Sequence, residues 1–191
     1  MTITIYVDVQ HSGKPDKPRD RGATGNGWDE VGATRLIANG IEHACVTYAD
    51  VHCIILSDGR YSSRHKRVND YHNRIGGKAV YLALHLNALD SKPHKGVIFF
   101  HYQSKKGPAL AQAVADAIKP AVGPTIPTPC ESGDWTRNAY ATIRGVREPI
   151  ALCLEPFYID SPAAKEWLFA EALEALGVEI AAAVIEHMKA T

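Results

Sequence analysis

The sequence lacks paired cysteines and long apolar runs, and each absence excludes a class of protein. Among its 191 residues the cysteines are Cys45, Cys53, Cys130 and Cys153, with no C-x-x-C pair. Three of them lie in apolar segments, so we expect reduced and mostly buried thiols, not a disulfide framework or a cysteine-bound metal. No apolar run approaches the length of a membrane span, so we expect no membrane insertion.

The chain also lacks a net charge. Lys+Arg and Asp+Glu both total 21, which gives a formal net charge of zero. No long-range field then attracts nucleic acid or a membrane surface, so we expect a partner that is recognised locally and no nucleic-acid partner. Residues 1–5 have neither the basic nor the long apolar segment of a secretory signal, which predicts synthesis in the cytoplasm without a signal peptide.

Hydrophobic residues make up 46% of the 191 residues, enough for one well-buried core and short for two. No internal repeat or appended module is evident. We therefore predict a single domain over residues 1–191 and a monomer.

Short runs of β-branched, aromatic and aliphatic residues predict the strands. These runs are Ile3–Val9, Val51–Leu56, Ala79–Leu84, Gly96–Tyr102 and Ile150–Leu154, with Tyr140–Arg144 as a weaker candidate. Amphipathic segments alternate with them, a pattern typical of α/β proteins. We predict one twisted, mixed sheet of about six strands flanked by helices.

Cap residues and apolar periods predict the helices. Their starts are Asp29–Glu30, Ser62 or Ser63, Pro108, and Ser161–Pro162. We expect Gly76–Gly77 to close the second helix and Pro120 to stop the third, and Gly177 is a candidate break in the last. The Pro-rich and Gly-rich stretch 121–138 is predicted to be a long loop, with Trp135 as a candidate substrate wall.

Four side chains with acid–base or metal-binding chemistry stand at element ends: His11, Glu30, His85 and Glu155. Each has a structural alternative, because a histidine can be a core residue and an acid can serve a helix dipole. A carboxylate at the tip of a buried strand, such as Glu155, is costly unless it is paired or bound. Two imidazoles and a carboxylate form the ligand set of a catalytic zinc site, but no H-E-x-x-H helix is present.

The second predicted helix carries a ring of positive charge around a narrow apolar stripe. Its cations are Arg60, Arg64, Lys66, Arg67 and Arg74. Such a ring is usually a solvated face, and contact with an anionic substrate is the alternative.

Taken together, these motifs resemble the zinc-dependent N-acetylmuramoyl-L-alanine amidases of the type-3 family, found in bacterial wall hydrolases and phage endolysins. The resemblance runs through the whole chain and rests on Tyr6–Gly13, Gly22–Ala23 ahead of Glu30, Ala83–Ala88 and Pro149–Asp160. The chain departs from the family where Gln10–Gly13 replaces its usual Gly-His-Gly. The family's arginine-containing helix also matches only loosely around Arg64 and Arg67.

The resemblance implies one Zn²⁺ per chain, held by His11, Glu30 and His85, with Glu155 as the catalytic acid/base. It implies peptidoglycan as the partner and hydrolysis of the amide between N-acetylmuramic acid and L-alanine. Arg144, for a stem-peptide carboxylate or the oxyanion, and Asn87 are candidate substrate-binding residues.

A compact, endolysin-like catalytic domain without a wall-binding module is expected, made in the cytoplasm and acting on the wall after release, as in phage lysis. A cytoplasmic role after cell lysis or inside a mother cell fits equally. Two alternatives stay open at this point. One is a zinc peptidase or carboxypeptidase that acts on the stem peptide, and the other is a catalytically silent wall-binding protein.

Overall fold

A six-stranded mixed sheet with helices on both faces is the framework of the protein. The computed structural model describes residues 2–88, 96–134, 136–166 and 168–191. Its strands are β1 Ile3–Val9, the short pair β2 Thr24–Gly25 and β3 Trp28–Asp29, β4 Val51–Leu56, β5 Lys78–Leu84, β6 Gly96–His101, β7 Thr125–Cys130 and β8 Ile150–Glu155. Its helices are α1 Glu30–Cys45, α2 Tyr61–Ile75, α3 Gly107–Val122, α4 Arg137–Ile143, a 3₁₀ turn Pro162–Glu166, and α5 Ala170–Ala190.

The strand order in the sheet is β4-β1-β5-β8-β6-β7. The first four are parallel, β6 runs antiparallel to β8, and β7 is parallel to β6. Four parallel strands therefore deliver their carboxyl ends to one edge of the sheet, where α/β proteins place their sites. The predicted fold class is confirmed.

The two faces of the sheet bury different clusters because side chains alternate along a strand. Ile5 and Val7 of β1 point into the larger core with α1, α3 and α5. Tyr6 points the other way, into a smaller cluster that includes Val68 of α2 and Ile143 of α4. Among the described residues, no helix has the length and hydropathy that a membrane crossing requires.

Gly177 does not divide the last helix, so that prediction is wrong. Helix α5 is continuous, and the glycine lies where α5 crosses α1. A Cβ atom at Gly177 would lie 2.1 Å from the Ile37 carbonyl oxygen, and one at Gly40 would lie 1.9 Å from the Glu174 carbonyl oxygen. These glycines serve the close approach of two helices.

Three further predictions fail between residues 120 and 144. Tyr140–Arg144 is not a strand but the end of α4, because Ala139, Thr142 and Ile143 bury one helical face against the sheet. The predicted loop contains β7, and α3 continues past Pro120 to Val122. Strand β7 tolerates its prolines because it lies at the edge of the described sheet, beside β6.

Several local predictions can also be checked. Asp29 caps α1 as expected, whereas α2 begins before the predicted serine caps, with Arg60 at the N-cap. The four cysteines are free, and all but Cys53 are buried. Trp135, the candidate substrate wall, lies outside the described residues.

Candidate metal centre

The parallel register places three predicted site residues beside one another. Val9 of β1 is paired with Leu84 of β5, and Leu84 is paired with Leu154 of β8. The next residues, His85 and Glu155, therefore leave the sheet side by side, and the His85 amide donates to the Leu154 carbonyl oxygen at 2.9 Å. His11 follows β1 at the same edge.

The turn that carries His11 has a defined geometry. His11 has a φ of 61°, in the left-handed region that histidine tolerates better than most side chains. The Ser12 hydroxyl donates to the Ser57 carbonyl oxygen at 2.7 Å, and the Gly59 amide donates to the Gly13 carbonyl oxygen at 2.9 Å. The loop after β4 therefore holds the turn in place.

Arg64 supports the same turn from beneath. It is fully buried, donates to the Val9 carbonyl oxygen at 3.0 Å, and also donates to the Ser12 carbonyl oxygen. Its guanidinium pairs with the buried carboxylate of Asp8, which also accepts a hydrogen bond from the Tyr81 hydroxyl at 2.5 Å. Arg64 is therefore a structural cation and not a substrate contact.

Glu30 opens α1 and its carboxylate is held by the backbone. It accepts from the Ala23 amide at 2.8 Å and from the Leu86 amide at 3.0 Å. Gly22 has a φ of 72°, and a Cβ there would lie 2.3 Å from a Glu30 carboxylate oxygen. A glycine at this position therefore leaves room for the carboxylate.

His11, Glu30 and His85 form one cluster whose candidate ligand atoms all lie within 4.8 Å of one another. His85 Nδ1 is 2.9 Å from Glu30 Oε1, and His11 Nε2 is 3.6 Å from Glu30 Oε2. Burial acts to raise the pKa of Glu30, but the hydrogen bond and charge of His85, with the charge of His11, lower it below its usual value. The carboxylate is therefore anionic and faces two imidazoles.

This donor set fits a cation. Two atoms that bind one tetrahedral zinc at about 2.0–2.2 Å are about 3.4 Å apart, and the two contacts to Glu30 lie on either side of that spacing. In the His85 ring, Nδ1 faces Glu30, and Nε2 is buried without a hydrogen-bond partner among the described residues, so protein hydrogen bonding satisfies only one nitrogen of this ring.

Asp20 orients His11, and the sequence patterns did not single it out. His11 Nδ1 lies 3.0 Å from both carboxylate oxygens of Asp20, which leaves Nε2 for the cluster. Lys14 donates to Asp20 at 2.9 Å, and the pKa of Asp20 is lowered because these hydrogen bonds outweigh its burial. Metal-binding histidines commonly have such a carboxylate partner. The signal for Asp20 in the sequence was an acidic residue in the long loop that follows His11.

Glu155 stands at the end of β8 beside this cluster. Burial raises its pKa, the charge of Glu30 adds to the rise, and His85 opposes it. A carboxyl group with a raised pKa close to a metal site is suited to accept and return a proton.

The family model of N-acetylmuramoyl-L-alanine amidases matches residues 5–186. The chain belongs to this amidase family. The enzyme is accordingly a hydrolase of the amide between N-acetylmuramic acid and L-alanine in the bacterial cell wall, as the family resemblance implied. A comparison with curated protein sequences gives no significant match.

Solved structures of amidases share the fold over almost their whole length. An N-acetylmuramoyl-L-alanine amidase from Clostridium difficile 630 has a TM-score of 0.77 at 17% identity, covering 100% of this chain and 98% of that one. An amidase of Nostoc punctiforme gives 0.73 at 16% identity, with 98% and 97% covered. The catalytic domain of an endolysin targeting Clostridia difficile gives 0.64 at 21% identity, with 95% and 97% covered.

Of the two predicted substrate-binding residues, Asn87 lies near the candidate metal centre and Arg144 lies far from it. Asn87 is close to the cluster, because its backbone extends the pairing of β5 through hydrogen bonds with Phe157 and Ile159 at 3.2 and 2.8 Å. Arg144 and Ile150 line the same cavity. Ile150 is the first residue of β8 and Glu155 is the last, so the rise per residue of a strand puts them about 16 Å apart. This placement does not favour an oxyanion role for Arg144. A carboxylate contact stays a prediction.

Proposed function

We propose that this amidase is zinc-dependent and that His11, Glu30 and His85 hold one Zn²⁺ per chain. The observation that carries the proposal is the convergence of two imidazoles on a buried carboxylate, with candidate ligand atoms that all lie within 4.8 Å of one another. A zinc ion held there supplies a Lewis acid for the carbonyl and lowers the pKa of water to about 7.

Glu155 carries the proton in this proposal. Its raised pKa and its position after Leu154 support transfer of a proton from the attacking water to the leaving amine of L-alanine. The leaving amine is a poor leaving group unless it is protonated. Asp20 and the backbone amides of Ala23 and Leu86 hold the other polar groups in position, so little reorganisation is needed during the reaction.

The first experiment identifies the reaction products in the presence and absence of zinc. Purified peptidoglycan is digested with zinc-loaded enzyme, with chelated enzyme and with chelated enzyme to which zinc has been restored, and the soluble products are identified by mass. The proposal expects intact stem peptides with an alanine amino terminus, produced only when zinc is present. Single amino acids would indicate a carboxypeptidase, and absence of products despite bound zinc would indicate a silent wall-binding protein.

The ligand assignment has its own test. His85→Ala and His11→Ala should each lose zinc and activity together, whereas His52→Ala, at an exposed position on β4, should keep both. Retention of a full equivalent of zinc by His85→Ala would refute the assignment.

We also propose that the enzyme acts on its wall substrate as a monomer, in the manner of a phage endolysin released to the wall. The support is the family membership and the likeness to an endolysin catalytic domain. Lysis of intact cells from outside, compared with release of the enzyme within the cell, tests the route. Sedimentation velocity tests the monomer.

A further inference from the structure

A groove with a volume of about 760 Å³ separates α2 from α4, on the face of the sheet that carries the smaller cluster. Its cations are Lys14, Lys17, Arg60, Lys66, Arg144 and Arg147, and its carboxylates are Asp16 and Asp70. The whole chain has a formal net charge of zero. Positive charge is therefore concentrated along this groove.

Half of these cations already have an acidic partner. Arg60 lies 3.4 Å from Asp16, and Lys66 pairs with Asp70 one helical turn away. Lys14 pairs with Asp20 at 2.9 Å.

The other three cations, Lys17, Arg144 and Arg147, are exposed and have no ion pair with any described residue. Arg144 and Arg147 lie three residues apart on the segment that leaves α4. Guanidinium groups of this kind suit carboxylates because their planar donors can bind both oxygens.

The backbone segment 144–147, which carries the two arginines along the groove, is hydrogen-bonded to α2. Asn69 donates to the Gly145 carbonyl oxygen at 2.8 Å and accepts from the Arg147 amide at 3.1 Å. A Cβ at Gly145 would lie 2.3 Å from the His65 ring, whose Nε2 is 2.7 Å from the Thr142 carbonyl oxygen. The backbone between the arginines is therefore ordered before any ligand binds, which reduces the entropic cost of binding.

One end of the groove is linked to the candidate metal centre. Lys14 lines the groove, and its ammonium group lies 4.9 Å from the centre of the Tyr61 ring. The same ammonium donates to Asp20, which contacts His11. Arg144 and Arg147 line the part of the groove where α2 meets the end of α4.

We propose that this groove binds the free carboxylates of the peptidoglycan stem peptide, with Arg144 and Arg147 as the principal contacts. The proposal rests on the proposed function, because it takes the amidase substrate as the ligand. Both arginines lie near Ile150, at the end of β8 that is about 16 Å from Glu155 by strand geometry. An extended peptide advances about 3.3–3.6 Å per residue, so a stem peptide of about five residues spans that distance. The groove then selects substrates by the charge of their peptide.

The test is binding, measured without turnover. A soluble disaccharide carrying a stem peptide is titrated by calorimetry into zinc-loaded Glu155→Gln protein, and the ligand is recovered intact afterwards by mass. Adding Arg144→Gln and Arg147→Gln should weaken binding about tenfold, because each exposed pair with a carboxylate contributes modestly. The matched control adds Lys119→Gln and Lys165→Gln, which remove the same charge at exposed positions outside the groove, and it should bind like the parent.

Two further arms identify the anion. A ligand whose free carboxylates are amidated should bind the parent about as weakly as the intact ligand binds the double arginine variant. Arg144→Lys with Arg147→Lys should recover part of the affinity, because charge is restored without the planar fork. A phosphate-containing wall polymer that binds more tightly than the stem peptide, and depends on the same arginines, would overturn the proposal.

Equal affinity of the double arginine variant and the parent would also overturn it. Failure of the proposed function can be distinguished from failure of the groove proposal, because it would show in the products and the metal dependence of the unmodified enzyme. Far-UV circular dichroism of each variant establishes that it is folded.

Discussion

At the scale of single residues, the account depends on how His11 is held. Its Nδ1 faces Asp20 and its Nε2 faces Glu30, so one nitrogen is fixed by a carboxylate and the other is free to bind a metal. The left-handed backbone at His11 and the bonds from Arg64 to the same turn complete the arrangement. Asp20 therefore acts on the candidate metal centre through His11.

Asp20→Ala should weaken zinc binding by roughly 10–100-fold, because a carboxylate behind a metal-binding histidine orients the ring and raises its basicity. The measurement is competition against a chelating indicator of known affinity. Asp16→Ala is the matched control, since Asp16 is an acid of the same loop whose one ion pair among the described residues is with exposed Arg60. Equal zinc affinity in Asp20→Ala and the parent would remove Asp20 from the site.

Glu155 gives a pH prediction for the metal-free protein. Its pKa is raised by burial in the folded state, so its contribution to stability is full below the pKa of the unfolded chain and is lost as pH rises through the folded pKa. Chelated Glu155→Gln should therefore be more stable than the chelated parent at neutral pH, and the difference should shrink in acid. Denaturant titrations at several pH values measure this difference, and a variant less stable at neutral pH would contradict it.

At the scale of elements, the residues at strand ends could be predicted from the sequence, but the loop residues that contact and orient them could not. The apolar runs that end in His85 and Glu155 mark buried strands, and the parallel register then places both at one edge. Asp20 lies in a loop without periodicity, so only the fold shows that it contacts His11. The helix over Arg137–Ile143 was missed because its short apolar pattern also suits a strand, and packing against the sheet decides between the two.

Gly177→Ala gives opposite predictions from local propensity and from structure. Alanine is favoured over glycine inside a helix by roughly 1 kcal/mol, so propensity alone predicts a gain in stability. The new methyl group would meet the Ile37 backbone, so we expect a loss of about 1–3 kcal/mol instead. Gly133→Ala is the control, because no atom of the described residues lies within 4 Å of the added carbon. Urea denaturation that shows a more stable Gly177→Ala variant would disprove the close helix crossing.

At the scale of the whole molecule, the fold should not depend on the metal. Two hydrophobic clusters fill the two faces of the sheet, and the candidate ligands lie at one edge of it. Sequence composition alone already predicted a chain large enough to bury its own core.

Removal of zinc by a chelator should therefore abolish hydrolysis and leave the far-UV circular dichroism spectrum nearly unchanged. Some loss of thermal stability is expected, because a ligand that binds only the folded state stabilises it. Restored zinc should restore activity. Global unfolding on chelation would show that the metal is structural.

The most direct test of the central claim is zinc content measured beside wall hydrolysis for Glu155→Gln and the parent. The account predicts a folded variant with one equivalent of zinc, because His11, Glu30 and His85 are untouched. It predicts that hydrolysis falls by about two orders of magnitude or more, since general acid/base help is typically worth roughly 10²–10⁴ in rate. Near-normal turnover would remove Glu155 from the chemistry, and loss of zinc would make it a metal ligand instead.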